Sequence, residues 1–450
     1  MATNLSTDIL IIGAGASGLA AARDLSRTGF HVTVVEARSR IGGRIYTEHD
    51  PAEKLPIELG AEFIHGKPPE LFSLINDAQL KFEEVTGRHW YLENGRLAKS
   101  NEFWTAVEDL TQPMQDQVED QSLKTYLDSL PKDQSSKHAK EILIRYVEGF
   151  HAAQSDRIGV LGLNAANEAS NEIEGDRAFR LLKGYEAVTD WLRAEAEDHG
   201  ARFLLDTVAN ELHWQANKVQ CRCTSSNKLI VDSTRALITI PVALLKVNHG
   251  PGAIKFIPSL PKEKIEAIDH VEVGSALRIV MRFSYPFWER LVLPGTNQSD
   301  LAQLGFIHSP TAPFPTWWTT LPEHESILVG WAGGPDAVRL QNEEENGIVE
   351  AALKSLARIF GLTIEEVRSY LVKSYYHNWH LDPFALGAYT YLPVNGLDAQ
   401  LKLAKPVDNT LFFAGEATTV GHIGTVHGAI QSGQRAAREI FTASQKHSGD

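Results

Sequence analysis

The sequence predicts an α/β protein in which a doubly wound parallel sheet is interrupted by a two-part α+β domain. Three observations predict it. A glycine-rich turn joins a buried apolar run to a helix near the start, in "DILIIGAGASGLAAARDL". A second strand, glycine loop and helix lie near the end, in "NTLFFAGEATTVGHIGTVHGAIQSG". Between them helical and strand periods alternate in a chain of 450 residues, long enough for two or three domains.

In the first unit Asp8 precedes the apolar run Ile9–Ile12, and Gly13, Gly15 and Gly18 spell G-x-G-x-x-G around Ala16 and Ser17. Leu19 to Leu25 reads as helix and "HVTVVEA" as a second strand. Gly13 permits the turn, Gly15 lets backbone approach a pyrophosphate, and Gly18 lets helix and strand pack closely. Phosphates would sit on the helix N-terminus, where unpaired N–H groups and the helix dipole favour anions. Glu36 ends the second strand, followed by Ala37 and Arg38. Its carboxylate suits the two hydroxyls of an adenosine ribose and repels a 2′-phosphate, which disfavours NADP. Together these features define a Rossmann-like, dinucleotide-binding unit.

The middle of the chain is organised more loosely. From about Leu80 to Lys183 it reads as helical, with "EFWTAVEDLTQPMQDQVEDQ" and "AKEILIRYVEGFHAA" separated by a loop, "LPKDQSSKHAK". "LLKGYEAVTDWLRAEAEDHGARFLLDTVANELHW" gives helix, glycine stop and strand. Residues 268–381 are strand-rich, in "ALRIVMRF", "ESILVGWAGG" and "VRSYLVKSYYHNW", with one helix, "GIVEAALKSLARIFG", ending on Gly361. The expected division is a discontinuous nucleotide domain of 1–79, 184–267 and 382–450, interrupted by a second domain of 80–183 and 268–381.

Composition excludes several classes. At 43% hydrophobic and 22% charged residues the chain matches ordinary globular proteins. A net charge of -14 argues against a nucleic-acid partner and would attract cations. No apolar run is long enough to span a membrane, no signal peptide is legible, and a reduced, cytoplasmic setting is expected. Cys221 and Cys223 fall on one face of a strand, where neither a disulfide nor a metal site is expected. His422 and His427 likewise make no metal motif, and no metal is expected.

Beyond Glu36, "EARSRIGGRIYT" places Gly43 and Arg44 in a G-G-R turn. Fingerprint, acid and G-G-R together resemble the N-terminus of flavin amine oxidases, protoporphyrinogen oxidases and carotene desaturases. The resemblance implies FAD, with Arg44 clamping the diphosphate and Val208 meeting the adenine side through its backbone. The C-terminal block resembles the motif that closes the FAD site in flavin amine oxidases. It implies that Gly415 and Glu416 meet the ribityl chain, while the helix starting near Val426 points its N-terminus at the flavin pyrimidine. A helix dipole there stabilises an anionic reduced flavin.

"YHNWHLDPFALGAYTYLPVNG" resembles the stretch that supplies a flavin-facing tryptophan, here Trp379, and one aromatic wall of an amine cage, here Tyr389. In "IELGAEFIHG" the resemblance lays Gly60 and Ala61 along the flavin and turns His65 toward the substrate, as in animal polyamine oxidases. It also offers Glu62 as a partner for a distal ammonium. His427 resembles a histidine placed near the cofactor, and a capping role fits it equally. Trp317, Trp318 and Trp331 are expected in the core.

Four departures refine the reading. Ala388 stands where monoamine oxidases attach flavin through cysteine, so FAD should be noncovalent. Thr425 stands where those enzymes have a second cage tyrosine. Phe63 stands where L-amino acid oxidases have a carboxylate-binding arginine. Arg278, before "PFW", stands where many members carry a lysine linked to oxygen reactivity. The expected activity is oxidation of a spermine- or spermidine-like amine by hydride transfer to flavin N5, then imine hydrolysis, with O2 or another acceptor and hydrogen peroxide as product. Oxidation of a monoamine or amino acid is the second reading, and a low-turnover flavin-binding sensor or assembly module the third. A monomer or homodimer is expected.

Overall fold

The computed structural model describes residues 3–93, 95–99, 108–131 and 134–445. Its central sheet is fully parallel, ordered Arg202–Leu204, Val32–Val35, Ile9–Ile12, Arg235–Ile238 and Leu411–Phe413. All four residues of Ile9–Ile12 are buried, as a strand covered on both faces requires. Alternation sorts them: Ile9 and Ile11 face helices Ala16–Arg27, Glu186–Asp198 and Val426–Gln445, through Leu19, Leu192 and Ile430. Leu10 and Ile12 face the opposite core, built on a second five-stranded sheet that runs from Thr3–Ser6 to Lys255–Ile257. Cys221 and Cys223 lie on one face of that sheet, buried and unbridged with sulfurs 3.5 Å apart.

A seven-stranded sheet forms the other main layer, from Leu371–Tyr376 at one edge to the hairpin Arg88–Glu93 and Arg96–Lys99 at the other. Helix Glu345–Phe360 buries Leu353 and Leu356 against it and stops on left-handed Gly361. Trp317 and Trp318 are buried as expected, and Trp331 is half-buried with its indole donating to the Gly149 carbonyl at 2.9 Å.

Several elements differ from the sequence reading. The stretch expected to be helical from Leu80 also holds the hairpin strand Arg96–Lys99 and strands Phe82–Glu84, Arg88–Glu93 and Ala178–Leu181, and these last three pair with segments distant in sequence. Helix Gln134–Phe150 begins inside the expected loop. Helix Ile364–Tyr370 occupies the start of "VRSYLVKSYYHNW", because Thr363 and Glu366 form a reciprocal capping box. The start of the helix expected in "EFWTAVEDL", residues 102–107, lies outside the described residues.

Candidate active site

The fingerprint folds as a strand, turn and helix. Gly15 is the extended residue before helix Ala16–Arg27, and Ala16 and Ser17 begin its buried first turn. A Cβ on Gly18 would collide with the Gly13 carbonyl oxygen, so only glycine allows this approach of helix to turn. A Cβ on Gly15 would meet nothing within 4 Å. The helix N-terminus therefore opens onto space that a diphosphate fits, and the chain passes this test for a dinucleotide cofactor.

Glu36 is buried, its carboxylate accepting from Ala14 N at 2.8 Å and Arg38 N at 2.9 Å. Its backbone carbonyl accepts from Thr207 N at 2.8 Å, which brings Val208 to the same edge, beside Ala37. The Arg38 guanidinium turns away to pair with Asp382, whose carboxylate also accepts from His377 Nε2 at 2.8 Å. Burial alone would raise Asp382, but these partners hold it well below the usual carboxylate range. Only the backbone of Arg38 therefore faces Glu36.

The G-G-R turn folds back on the fingerprint, Gly42 N donating to Ala14 O at 2.8 Å, with Gly43 alongside Gly15. Arg44 Nη2 reaches Glu416 Oε1 at 2.9 Å. Glu416 is buried, and accepts from Thr390 Oγ1 at 2.7 Å and Gly424 N at 3.0 Å. Both line a cleft with about 350 Å³ of empty space, together with Gly415, Thr239 and Thr418. Thus the N-terminal and C-terminal motifs meet through an ion pair.

Thr425 has a structural task of its own. Its hydroxyl accepts from Gly428 N at 3.0 Å and donates to His422 O at 2.7 Å, capping helix Val426–Gln445 just ahead of Val426. Its polar atom is thus spent on the helix. The capping role open to His427 thus belongs to Thr425. His427 Nε2 instead lies 3.2 Å from His422 Nδ1.

Tyr389 donates its hydroxyl to the Phe150 carbonyl. Phe150 stacks on Tyr146 with centroids 5.4 Å apart, and meets His65 edge-on, also at 5.4 Å. Burial lowers His65 to about 4 and pushes Tyr146 up to about 12, so both rings are neutral near pH 7. The resulting cluster is aromatic and uncharged. Tyr146 and Phe150 were not legible as site residues, because helical periodicity alone cannot say which element a helix will face. Trp379 is buried, donating Nε1–H to Leu59 O at 3.0 Å. A Cβ on Gly60 would collide with the Arg44 carbonyl oxygen and stand 3.3 Å from Trp379. Gly60 is thus required by the chain's own packing, and Ala61 N, 3.3 Å from Arg44 O, continues the contact.

Glu62 departs from the role expected of it. Its carboxylate accepts from Arg180 Nε at 2.8 Å and Trp318 Nε1 at 3.1 Å, and pairs with Arg278 Nη2. All three charged side chains are buried. Burial would raise Glu62, but Arg278 and Arg180 outweigh it and hold the carboxyl below its usual value. The carboxylate is therefore unavailable to a substrate ammonium. Arg278, 3.5 Å from Gly60 O, lies against the segment expected to line the flavin, and Arg180 packs over the Phe63 ring at 5.4 Å. Phe63 itself contacts Trp318 and Phe306. Arg180 had a signal that went unused: a charged residue inside the apolar strand "AFRL" is buried and needs a partner.

A parallel sheet with this fingerprint and acid defines a dinucleotide-binding protein. Comparison narrows the class: the family model described as flavin containing amine oxidoreductase matches residues 16–441, and the chain belongs to that family. It is 28% identical over 472 residues to a probable polyamine oxidase 4 of Arabidopsis thaliana, covering 97% of this chain and 88% of that one. A wild-type putrescine oxidase bound to putrescine superposes with TM-score 0.81 at 20% identity, covering 98% of this chain and all of that one. Cyclohexylamine oxidase from Brevibacterium oxydans superposes with TM-score 0.79 at 21% identity, covering 98% and 99%. These two likenesses speak to the fold. The protein is an FAD-dependent oxidoreductase acting on C–N bonds of amines, with FAD held noncovalently. No helix among the described residues is long and apolar enough to cross a membrane.

Proposed function

We propose that the protein oxidises a polyamine-like amine of the spermine or spermidine class, with O2 as acceptor and hydrogen peroxide as product. The observation that carries this reading is the uncharged wall of His65, Phe150, Tyr146 and Tyr389. FAD, when bound, would supply a hydride acceptor and a route for the electrons to oxygen. Gly15, the helix beyond it, Glu36, Val208, Arg44, Gly415 and Glu416 would hold it, with Trp379, Gly60 and Ala61 along its ring. The chain's own task is to present the amine neutral and dry. Alkylammonium groups have pKa values of about 10, so an apolar cage must favour the deprotonated form. His65, itself neutral, can accept a hydrogen bond from the amine nitrogen.

Support for a polyamine comes from the relatives named polyamine oxidases, from the net charge of -14, and from Phe63 at the carboxylate-anchor position. A monoamine with an apolar body is the second reading, favoured by the sequestration of Glu62. Spermine, spermidine, benzylamine and L-arginine are each mixed anaerobically with the holoenzyme while flavin absorbance is followed. Bleaching by spermine or spermidine, with an aminoaldehyde recovered after hydrolysis, is expected. Bleaching by benzylamine alone selects the second reading, and bleaching by none refutes both. A reducing, cytoplasmic setting is part of the proposal.

A further inference from the structure

The helix that supplies Tyr146 and Phe150, Gln134–Phe150, ends in a turn that depends on other elements. The last carbonyls of any α-helix have no partner inside it. Here His151 N takes Val147 O at 2.9 Å, and the carbonyls of Gly149 and Phe150 remain to be satisfied from outside. Gly149 is a weak helix former, and a Cβ on it would meet nothing within 4 Å among the described residues, so packing does not impose the glycine. Beyond the turn the chain leaves through buried Ala152, left-handed at φ 51°. A turn built this way frays unless it is gripped.

Two elements grip it. Trp331, on strand Ile327–Gly333 of the seven-stranded sheet, donates Nε1–H to Gly149 O at 2.9 Å. Tyr389, just before strand Thr390–Tyr391, donates its hydroxyl to Phe150 O, and burial pushes the phenol up, so it remains a donor. Consecutive carbonyls are thus held by two aromatic side chains. The approach is close, because a Cβ on Gly333 would collide with Gly149 O. Glu148 anchors the turn to the following loop, its carboxylate accepting from Ser155 N at 3.2 Å and Ser155 Oγ at 2.6 Å. The side chain that this latch presents is Phe150. Its ring lies nearly parallel to Tyr146, at 14°, and meets His65 and His151 edge-on, with centroids 5.4, 5.4 and 5.2 Å away. At 43% exposure it is the open member of the cluster, while His65, Tyr146 and Tyr389 are half-buried.

We propose that Phe150 selects the carbon body of the amine, and that Trp331 and Tyr389 are positioning residues that hold its ring against His65. The inference rests on the proposed amine lying beside His65. A hydrogen bond from nitrogen to imidazole does not tell one amine from another, so discrimination falls to the surface that meets the carbons. Phe150 is that surface: apolar, exposed, stacked on Tyr146 and fixed at its own backbone carbonyl. Such a ring does not yield to a wide body, so a slender methylene chain packs on it and a branched one clashes. The substrate class this selects is the linear aliphatic amine, to which the methylene segments of spermine and spermidine belong.

n-Hexylamine and 3,3-dimethylbutylamine are isomers with the same CH2–NH2 group and bodies of different width. Each is titrated into the holoenzyme as a competitor against the amine that reduces its flavin, and the ratio of the two inhibition constants is read. Phe150→Ala should move that ratio toward the branched isomer by about 10-fold, the scale on which hydrophobic pockets discriminate. Trp331→Phe keeps an aromatic ring but loses the N–H, and should move the ratio the same way by about 3-fold. Adding Gly149→Ala to Trp331→Phe should restore the wild-type ratio, because alanine strengthens the helical turn without a clash. Packing lost at 331 would not be rescued from 149. FAD content and melting midpoint report folding, which truncation of an exposed ring should leave intact. A wild-type ratio in Phe150→Ala, or no competition by either isomer in the wild type, would overturn Phe150 as the selector. A shift in Phe150→Ala with none in Trp331→Phe would overturn the latch. If no amine reduces the wild-type flavin, the amine reading fails and the inference with it.

Discussion

Replacing Glu62 by glutamine should destabilise the protein rather than weaken substrate binding. Glutamine keeps the shape but removes the charge that two buried guanidinium groups share, and turns an amide N–H₂ toward a donor. What remains is neutral: Arg180 retains the carbonyls of Thr320 at 3.0 Å, Leu321 at 3.3 Å and Thr319 at 3.5 Å, and Arg278 that of Gly60 at 3.5 Å. Removing one partner of a buried ion pair costs about 3–5 kcal/mol, a large share of a total stability of about 5–15 kcal/mol. With an unfolding entropy of about 2.1 cal/mol/K per residue over 450 residues, each kcal/mol shifts the melting midpoint by about 1 °C, so it should fall by about 3–5 °C. Tryptophan fluorescence melts of wild type and Glu62→Gln, with FAD present and absent, read this directly.

The pH dependence supplies a second check. The carboxyl of Glu62 is depressed below its usual value of 4.5, so its contribution to stability is complete above that pH. It drains away as pH falls through the lower folded value. The gap between wild type and variant should therefore be widest near neutrality and close in acid. A midpoint unchanged to within about 1 °C, combined with a raised KM for polyamine, would refute the triad and restore Glu62 to the substrate.

Three other outcomes follow from the geometry. Gly18→Ala should lose FAD, read as the ratio of flavin to protein absorbance, because its Cβ would displace the Gly13 turn under the phosphates. Thr425→Ala should cost about 1 kcal/mol in urea melts, and Thr425→Ser nearly nothing, since only the hydroxyl serves as the cap. His65 should add a pH slope to stability: its folded value near 4 lies below the free value of 6.5, so the unfolded chain binds more protons in that window. Stability attributable to it is intact above 6.5 and falls toward pH 4. His65→Gln should flatten that part of the profile.

What the sequence disclosed depended on how local the determinant was. The fingerprint was legible because its constraint closes within a few residues, Gly18 against Gly13. The capping box at Thr363 and Glu366 was equally local, and could have found the helix that strand-like "YLVKSYY" concealed. Thr425 was read for its place against a cage tyrosine, and its cap on Gly428 N is a local signal that the reading did not use. Tyr146, Phe150 and Arg180 reach the site only through tertiary convergence, which no periodicity encodes.

Arg278 shows why a single aligned position misleads. Taken alone it is a lysine replaced by arginine, and oxygen reactivity comes into question. In the structure it is one member of a unit in which Glu62 also holds Arg180, Trp318 donates to the same carboxylate, and the Arg278 guanidinium lies 5.4 Å from the Trp318 ring. A planar guanidinium can stack on an indole while donating sideways to a carboxylate, which a compact ammonium cannot do. A lysine at 278 would thus meet a carboxylate already half-satisfied by Arg180 and an indole it cannot stack on in the same way. Its position would be set by Glu62 before it was set by any cofactor. The chemistry at 278 accordingly depends on Arg180, and the two arginines must be varied together to learn what either contributes.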